Sequence, residues 1–322
     1  MLLAGDVGGT KTLLGLFEPD DARPCEVAVR SFVTLDYHDL PSMLAAFFAL
    51  ESTAPTDVDR ASFGVAGPVL GEMAELTNVP WRVDAREVKR VFGIPSVALL
   101  NDLQAMAYGV TVLQPSEVHT LQQGRADPNG NVALIAAGTG LGEALLHRVD
   151  GRYVPSPSEG GHADFSARTE REIAVLRDLT KRFGRVEVER VVSGRGLSNI
   201  HRVTHHGPCA AGIDPDDLDS PASISAAALA RRCPGCVEAF DLFLDAYGSE
   251  TGNLALRTLA TGGVFVGGGI APKILTALVD GPFLRAFRAK TPLESLLQNV
   301  PIQIVLNPHA GLLGAAVFAT RA

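Results

Sequence analysis

The chain has 322 residues, 46% of them apolar, with 33 glycines and a formal net charge of −8. That length accommodates two domains, and the glycine content fits a packed α/β protein whose turns need positive φ. An acidic balance with no Lys/Arg-rich run argues against a nucleic-acid or anionic-membrane partner, since both demand a basic face.

Met1-Leu2-Leu3-Ala4 lacks a basic n-region and runs at once into Gly5-Asp6, so no signal peptide is expected. The richest apolar stretch, Leu254 to Leu278, is broken by Arg257, Pro272, Lys273 and several glycines, and reads as no membrane span. Four cysteines without framework spacing point to a reducing compartment, hence a cytoplasmic protein.

Strands are predicted at Leu2–Val7 and Thr12–Glu18, around the run Asp6-Val7-Gly8-Gly9-Thr10-Lys11. This is a tight hairpin between two buried strands. Its glycines let the backbone approach a ligand and turn N–H groups outward, which suits a phosphate. Asp6 sits where a magnesium ion bridging phosphates needs an anionic oxygen. Further strands follow at Glu26–Phe32, Ala61–Ala66 and Val97–Leu100. Helices between them are capped by Asp39 and by Asp84, the latter with Glu87 as a capping box and Gly93 as its stop. The alternation predicts a largely parallel sheet with an antiparallel hairpin edge.

Val97–Leu100 leads into Asn101-Asp102, and ligands of open α/β sheets bind beyond the carboxyl ends of strands. Asp102 there can accept a proton from a substrate hydroxyl, or cap the helix that begins at Leu103; position alone leaves the two even.

A second unit opens with strands Val118–Gln122 and Val132–Ala137, joined by a polar surface turn over Gln122–Asn131. The latter strand enters Gly138-Thr139-Gly140-Leu141-Gly142, and Ala144-Leu145-Leu146 follows. This repeats the opening pattern and suggests a duplicated nucleotide clamp. Glu159 and His162 straddle a Gly-Gly turn in Ser158–Phe165. Two ligands are too few for a metal, and paired acceptors and donors of this kind suit a polyol. Helices are expected at Thr169–Phe183, with a Thr169/Glu172 capping box, and at Val237–Leu259, separated by an exposed, mobile loop over His205–Pro221. Alternation through Val186–Gly194 would put Glu187 and Glu189 on one face, and sequence alone does not separate them.

Cys233-Pro234-Gly235-Cys236 has only Cys209, His205 and His206 near it in sequence. A zinc ribbon wants a second Cys pair, so the favoured reading is a helix start with two small half-buried thiols. Val264-Phe265-Val266 enters Gly267-Gly268-Gly269, and a last strand, Ile302–Leu306, precedes a small-residue helix over Leu312–Thr320.

Taken in order, Asp6–Lys11, Gly64–Val69, Leu76–Trp81, Leu100–Asp102, Ala137–Gly142, Ser158–Phe165, Glu189–Gly194, Gly252–Leu256, Gly267–Ile270 and Gly311–Gly314 span the chain. The set resembles the bacterial glucokinases of the hexokinase family. The resemblance implies the two-domain actin-like ATPase (ribonuclease H-like) α/β fold with an interdomain cleft. It implies a small domain over 1–112 plus 307–322 and a large domain over 113–306. It implies phosphorylation of glucose at the 6-hydroxyl by ATP, with Mg2+, in a protein that is often a homodimer. By position it makes Asp102 the catalytic base and gives Asn101, Asp102, Glu159, His162 and Glu189 to the sugar, selecting Glu189 over Glu187. It gives Gly8, Gly9, Thr10, Lys11, Gly138, Thr139 and Gly140 to the phosphates, and Gly267, Gly268 and Gly269 to the adenosine. Asp6 would orient magnesium, usually through water, and Thr77-Asn78 would lie near the sugar. The related ROK sugar kinases carry a cysteine-rich zinc motif after their Gly-His, whereas Ala163–Glu172 has no cysteine, so the resemblance is to the type without it.

A non-catalytic sugar sensor would not need Asp6, Asp102 and both hairpins. An actin-like assembly ATPase would have no use for Asn101, Glu159 and His162. The first turn also lacks the G-x-G-x-x-G spacing of a dinucleotide-binding dehydrogenase.

Overall fold

The structure is a computed structural model and describes residues 1–76, 79–205, 207–279 and 281–321. Two compact units make up the chain: Met1–Glu117 with Tyr153–Pro157 and Asn307–Ala322, and Val118–Arg152 with Ser158–Leu306.

In the first unit, β1 (Leu2–Val7), β2 (Lys11–Glu18) and β3 (Cys25–Val33) form an antiparallel meander. β4 (Arg60–Val65) pairs in parallel with β1. A small antiparallel sheet of β5 (Val69–Leu70), β6 (Met73–Glu75) and β7 (Arg82–Asp84) intervenes before β8 (Ser96–Asn101), which pairs in parallel with β4. The main sheet therefore reads β3-β2-β1-β4-β8. β1 is buried along its length except at half-buried Asp6, as expected of a central strand covered on both faces. α1 (Leu40–Glu51) starts on an Asp39/Ser42 capping box. α2 (Ala85–Phe92) stops at Gly93, φ 70°. The expected Asp84/Glu87 box takes another form: Asp84 accepts the Arg86 N–H and pairs with the Arg86 guanidinium.

α3 (Asp102–Val110) leaves β8 without a loop, and α11 (Ala310–Arg321) lies directly on it. The contact is backbone to backbone: a Cβ on Gly314 would stand 1.7 Å from the Ala105 carbonyl oxygen. This approach brings the first turn of α11 onto β1, where a Cβ on Gly311 would be 2.9 Å from Asp6 Oδ2. Small residues in α11 thus set how close helix backbone comes to the first carboxylate.

The second sheet has the order β12-β11-β10-β13-β14-β9, from β9 (Val118–Gln122), β10 (Val132–Ala137), β11 (Leu141–Val149), β12 (Arg152–Ser158), β13 (Gly263–Gly267) and β14 (Ile302–Val305). Its first five strands repeat the order of the other sheet: an antiparallel β12-β11-β10 meander, then β13 and β14 added in parallel. β9 is the extra strand, antiparallel to β14 at the far edge. The Gln122–Asn131 connection therefore joins strands that are not neighbours.

Helices α4 (Glu170–Phe183), α5 (Gly194–Thr204), α6 (Pro221–Leu229), α7 (Pro234–Thr258), α8 (Leu275–Val279), α9 (Pro282–Arg288) and α10 (Glu294–Asn299) complete this unit. The Thr169/Glu172 capping box forms as expected on α4. α7 is apolar on most of its circumference, and Phe240, Phe243 and Tyr247 put it inside the core. The segment between His205 and Pro221 is not simply an exposed loop, because Cys209 within it is buried. Among the described residues, no helix is long and apolar enough to cross a membrane.

Candidate active site

The first unit contains a glycine hairpin and two neighbouring carboxylates. Val7 pairs with Thr12, and the residues between form a turn closed by the Gly8 N–H donating to the Lys11 carbonyl at 3.2 Å. Thr34 braces this turn: its hydroxyl donates to the Gly8 carbonyl at 2.7 Å and meets the Thr12 hydroxyl at 3.0 Å, and its N–H donates to the Thr10 carbonyl. Gly9 is half-buried, whereas Thr10 and Lys11 are exposed.

Asp6 stands at the carboxyl end of β1, in register with Gly64 of β4, which is in register with Leu100 of β8. Asp102 follows two residues later and lies close enough to Asp6 for their charges to repel. Burial, then the Asp102 charge, pushes the Asp6 carboxyl up to about 6, with Lys11 opposing. The cap of α3 is Asn101 rather than Asp102: Asn101 Oδ1 accepts the Leu103 and Gln104 N–H groups at 3.0 and 3.4 Å, while its Nδ2 donates to the Gly67 carbonyl at 3.4 Å. Asp102 is the first helical residue, its Oδ1 accepting the Leu103 N–H at 2.8 Å.

The second unit repeats the hairpin. Ala137 pairs with Leu141, leaving Gly138-Thr139-Gly140 as the turn, closed by the Gly138 N–H on the Gly140 carbonyl at 2.8 Å. The first N–H of α5, from Gly194, donates to the Gly138 carbonyl at 2.9 Å. Gly267-Gly268-Gly269 folds back beside the same strand, with Gly268 at φ 82°. Its following N–H, from Ile270, donates to the Ala137 carbonyl at 3.2 Å.

Glu189 lies against this hairpin: its Oε2 accepts the Leu141 N–H at 2.9 Å, and a Cβ on Gly140 would be 2.5 Å from that oxygen. Val188–Arg190 is a 3-10 turn, not a strand, which separates the two glutamates that alternation placed together. Glu187 instead faces His162, with Oε2 3.5 Å from Nδ1, and pairs with Arg190 at 3.1 Å. Glu159 reaches the other ring nitrogen of His162 at 4.0 Å. Glu159 and His162 are exposed on the 3-10 turn Gly160–His162 and its cap. His162, Glu187 and Glu189 each have a polar atom within 4.8 Å of the others.

Glu187, passed over by the resemblance in favour of Glu189, joins the His162 cluster from the neighbouring turn. Sequence reasoning missed one residue here. Glu143 is fully buried beneath Gly160, where a Cβ would meet its Oε2 at 2.2 Å. Burial, followed by the nearby Glu250, raises its carboxyl well above the usual range, against Arg257. A lone acid inside the apolar run Leu141–Leu146 was the available signal. Thr77 and Asn78 lie outside the described residues.

A family model described as Glucokinase matches residues 3–322. The chain belongs to the glucokinase family. A glucokinase of Nostoc punctiforme is 38% identical over 100% of this chain and 99% of its own length. The crystal structure of a glucokinase from an Antarctic psychrotroph superposes with a TM-score of 0.87 at 30% identity, covering 100% and 99% of the two chains. A ROK family glucokinase from Streptomyces griseus, solved with glucose and AMPPNP, shares the fold at a TM-score of 0.66 and 22% identity, covering 100% and 99%. The reaction of the family is ATP-dependent phosphorylation of glucose, and the chain carries the two-domain actin-like kinase fold in which glucokinases perform it.

Proposed function

We propose that Asp102 takes the proton from the 6-hydroxyl of glucose as that oxygen attacks the γ-phosphorus of ATP. The observation that carries this reading is the placement of Asp102 just past the carboxyl end of β8, beside Asp6 at the end of β1. The Leu103 N–H fixes one Asp102 oxygen, so the base is oriented before substrate arrives. Asn101 gives its oxygen to the α3 cap and one amide N–H to the Gly67 carbonyl, and its other N–H is assigned to a sugar hydroxyl. Glu159, His162 and Glu189 are assigned to the remaining hydroxyls, with Glu187 holding the His162 ring in place.

Gly8, Gly9, Thr10 and Lys11, with Gly138, Thr139 and Gly140, are assigned to the phosphates in this reading, and Gly267–Gly269 to the adenosine. The Asp6 carboxyl, one residue before the end of β1 and the first hairpin turn, fits a magnesium ion held through water. When bound, that ion neutralises charge on the β- and γ-phosphates. The AMPPNP and glucose in the Streptomyces griseus relative support the choice of donor and acceptor. Free thiols at Cys25, Cys209, Cys233 and Cys236 fit a cytoplasmic protein; the frequency of dimers in the family supports a homodimer, and the acidic balance argues against a nucleic-acid or anionic-membrane partner.

A matrix of donors against sugars, read as ADP or phosphate release, tests the assignment. Glucose with ATP and Mg2+ should be turned over, and deoxyglucoses lacking a contacted hydroxyl should be poor substrates. Hydrolysis of ATP at the same rate with and without sugar would defeat it.

A further inference from the structure

Apart from the residues assigned to glucose and ATP, five soft or borderline donors meet. His201 and His205 come from the end of α5 and just past it, Cys209 from the segment after α5, and Cys233 and Cys236 from the start of α7. His201, His205 and Cys209 follow one another at four-residue steps, but Cys209 and Cys233 are 24 positions apart, so nothing local brings those two segments together. Yet Cys209 Sγ is 3.7 Å from Cys233 Sγ and 3.6 Å from Cys236 Sγ. His205 Nε2 is 3.2 Å from Cys233 Sγ, and His201 Nε2 is 3.5 Å from Cys236 Sγ. His201, His205, Cys209 and Cys236 all offer a ligand atom within 4.8 Å of one another.

The two S···S separations match the edges of a zinc tetrahedron, and the His205–Cys233 separation is within about 0.4 Å of one. Zn–S bonds of about 2.3 Å and Zn–N bonds of about 2.0–2.1 Å give S···S edges of about 3.8 Å and S···N edges of about 3.6 Å. The thiols are shielded, at 9%, 3% and 0% exposure for Cys209, Cys233 and Cys236, as befits a closed structural site without an open position.

We propose that Cys209, Cys233, Cys236 and His205 bind a structural zinc ion, with His201 supporting it from behind. The two imidazoles separate by their other ring nitrogens. His205 Nδ1 is 2.9 Å from the His201 carbonyl, so it carries the proton and leaves the Nε2 lone pair for the metal. His201 is fully buried and its Nδ1 has no partner, so its proton belongs on Nε2, donating to Cys236 Sγ. Each of the three thiols loses its proton to solvent as the metal binds. The Cys-Pro-Gly-Cys sequence has a further use here. A Cβ on Gly235 would stand 2.5–2.9 Å from the His205 ring atoms, so the glycine between the cysteines is what admits the fourth ligand. The motif starts α7 as expected, but its thiols are buried rather than half-buried, and both face a third.

The site is distinct from the cysteine motif of the ROK kinases, whose segment has no counterpart here. It does not depend on the glucose and ATP assignments. Its consequence is a staple: zinc would tie the 207–220 segment, which forms no helix or strand, to the first turn of the buried helix α7.

The test is metal analysis of untagged full-length protein purified under a non-thiol reductant from zinc-supplemented culture, with thiols counted after unfolding. Stoichiometric zinc is expected. Replacement by Co2+ should give thiolate-to-cobalt charge-transfer absorption and the intense visible bands of a tetrahedral centre. H201F should weaken zinc against a competing chelator by roughly 10–100-fold. G235A, which keeps every ligand but displaces His205, should remove the imidazole contribution from the cobalt spectrum. Wild-type protein with all thiols reduced that carries no zinc and gives no charge-transfer band with Co2+ would overturn the proposal, whatever the variants do.

Discussion

Where the chain leaves the first unit and where it returns, one carboxylate holds both points. Glu117 is the last residue before β9, and Asn307 follows β14. Asn307 Nδ2 donates to Glu117 Oε1 at 2.6 Å, and the Gln114 N–H donates to Oε2 at 2.7 Å. Arg23, from the β2–β3 turn, grips both oxygens, with Nη2 2.8 Å from Oε1. The Arg23 guanidinium, helped by the Gln114 N–H and Asn307, holds the Glu117 carboxyl down to about 2, against 4.5 in the unfolded chain. That separation is worth about 3.4 kcal/mol, and the partial exposure of both partners brings it to about 2 kcal/mol. A depressed carboxyl gives stability that is complete above 4.5 and is lost as pH falls through about 2. E117Q should therefore be destabilised by about 2 kcal/mol at pH 7, and by only about 40% of that at pH 3. Urea unfolding of wild type and variant, followed by fluorescence and circular dichroism across that range, reads the difference. An equal difference at pH 3 and pH 7, or none at either, would refute the ionic account of this strap.

Two further variants probe the site's supports. G314A places a methyl into the Ala105 carbonyl and must part α11 from α3, so thermal unfolding should show a loss of about 1–3 kcal/mol. Its kcat should drop as well, since α11 also seats Asp6; a variant with unchanged melting would remove that link. D6N keeps the shape of the carboxylate but not its charge. In a titration of activity with Mg2+ it should need more magnesium than wild type, and an unchanged midpoint would take Asp6 out of the magnesium site.

Much of the fold was legible because buried strands in an α/β protein are short apolar runs punctuated by glycine. β1, β9 and β10 lie where such runs predict, and both hairpins were visible as a repeated pattern. The pairing of β9 with β14 was not, because a strand's sequence carries no mark of a partner 180 residues away. α5 was missed since Gly194 and Gly196 open it, and its stability comes from packing and the Ser193 cap rather than from propensity. For the site, Asn101 and Asp102 were legible as a pair, but which of them caps α3 depended on backbone geometry. Glu187 and Glu189 could not be told apart until a 3-10 turn, invisible to period-two reasoning, sent one to His162 and the other to the hairpin. The four proposed zinc ligands were each visible, but their convergence is tertiary.

The central claim is that Asp102 acts on the glucose hydroxyl, and steady-state kinetics of D102A against glucose at saturating ATP and Mg2+ test it most directly. A general base is worth about 10²–10⁴-fold, so kcat should fall by that factor while the KM for glucose changes little. A kcat within a few-fold of wild type would show that the proton leaves by another route.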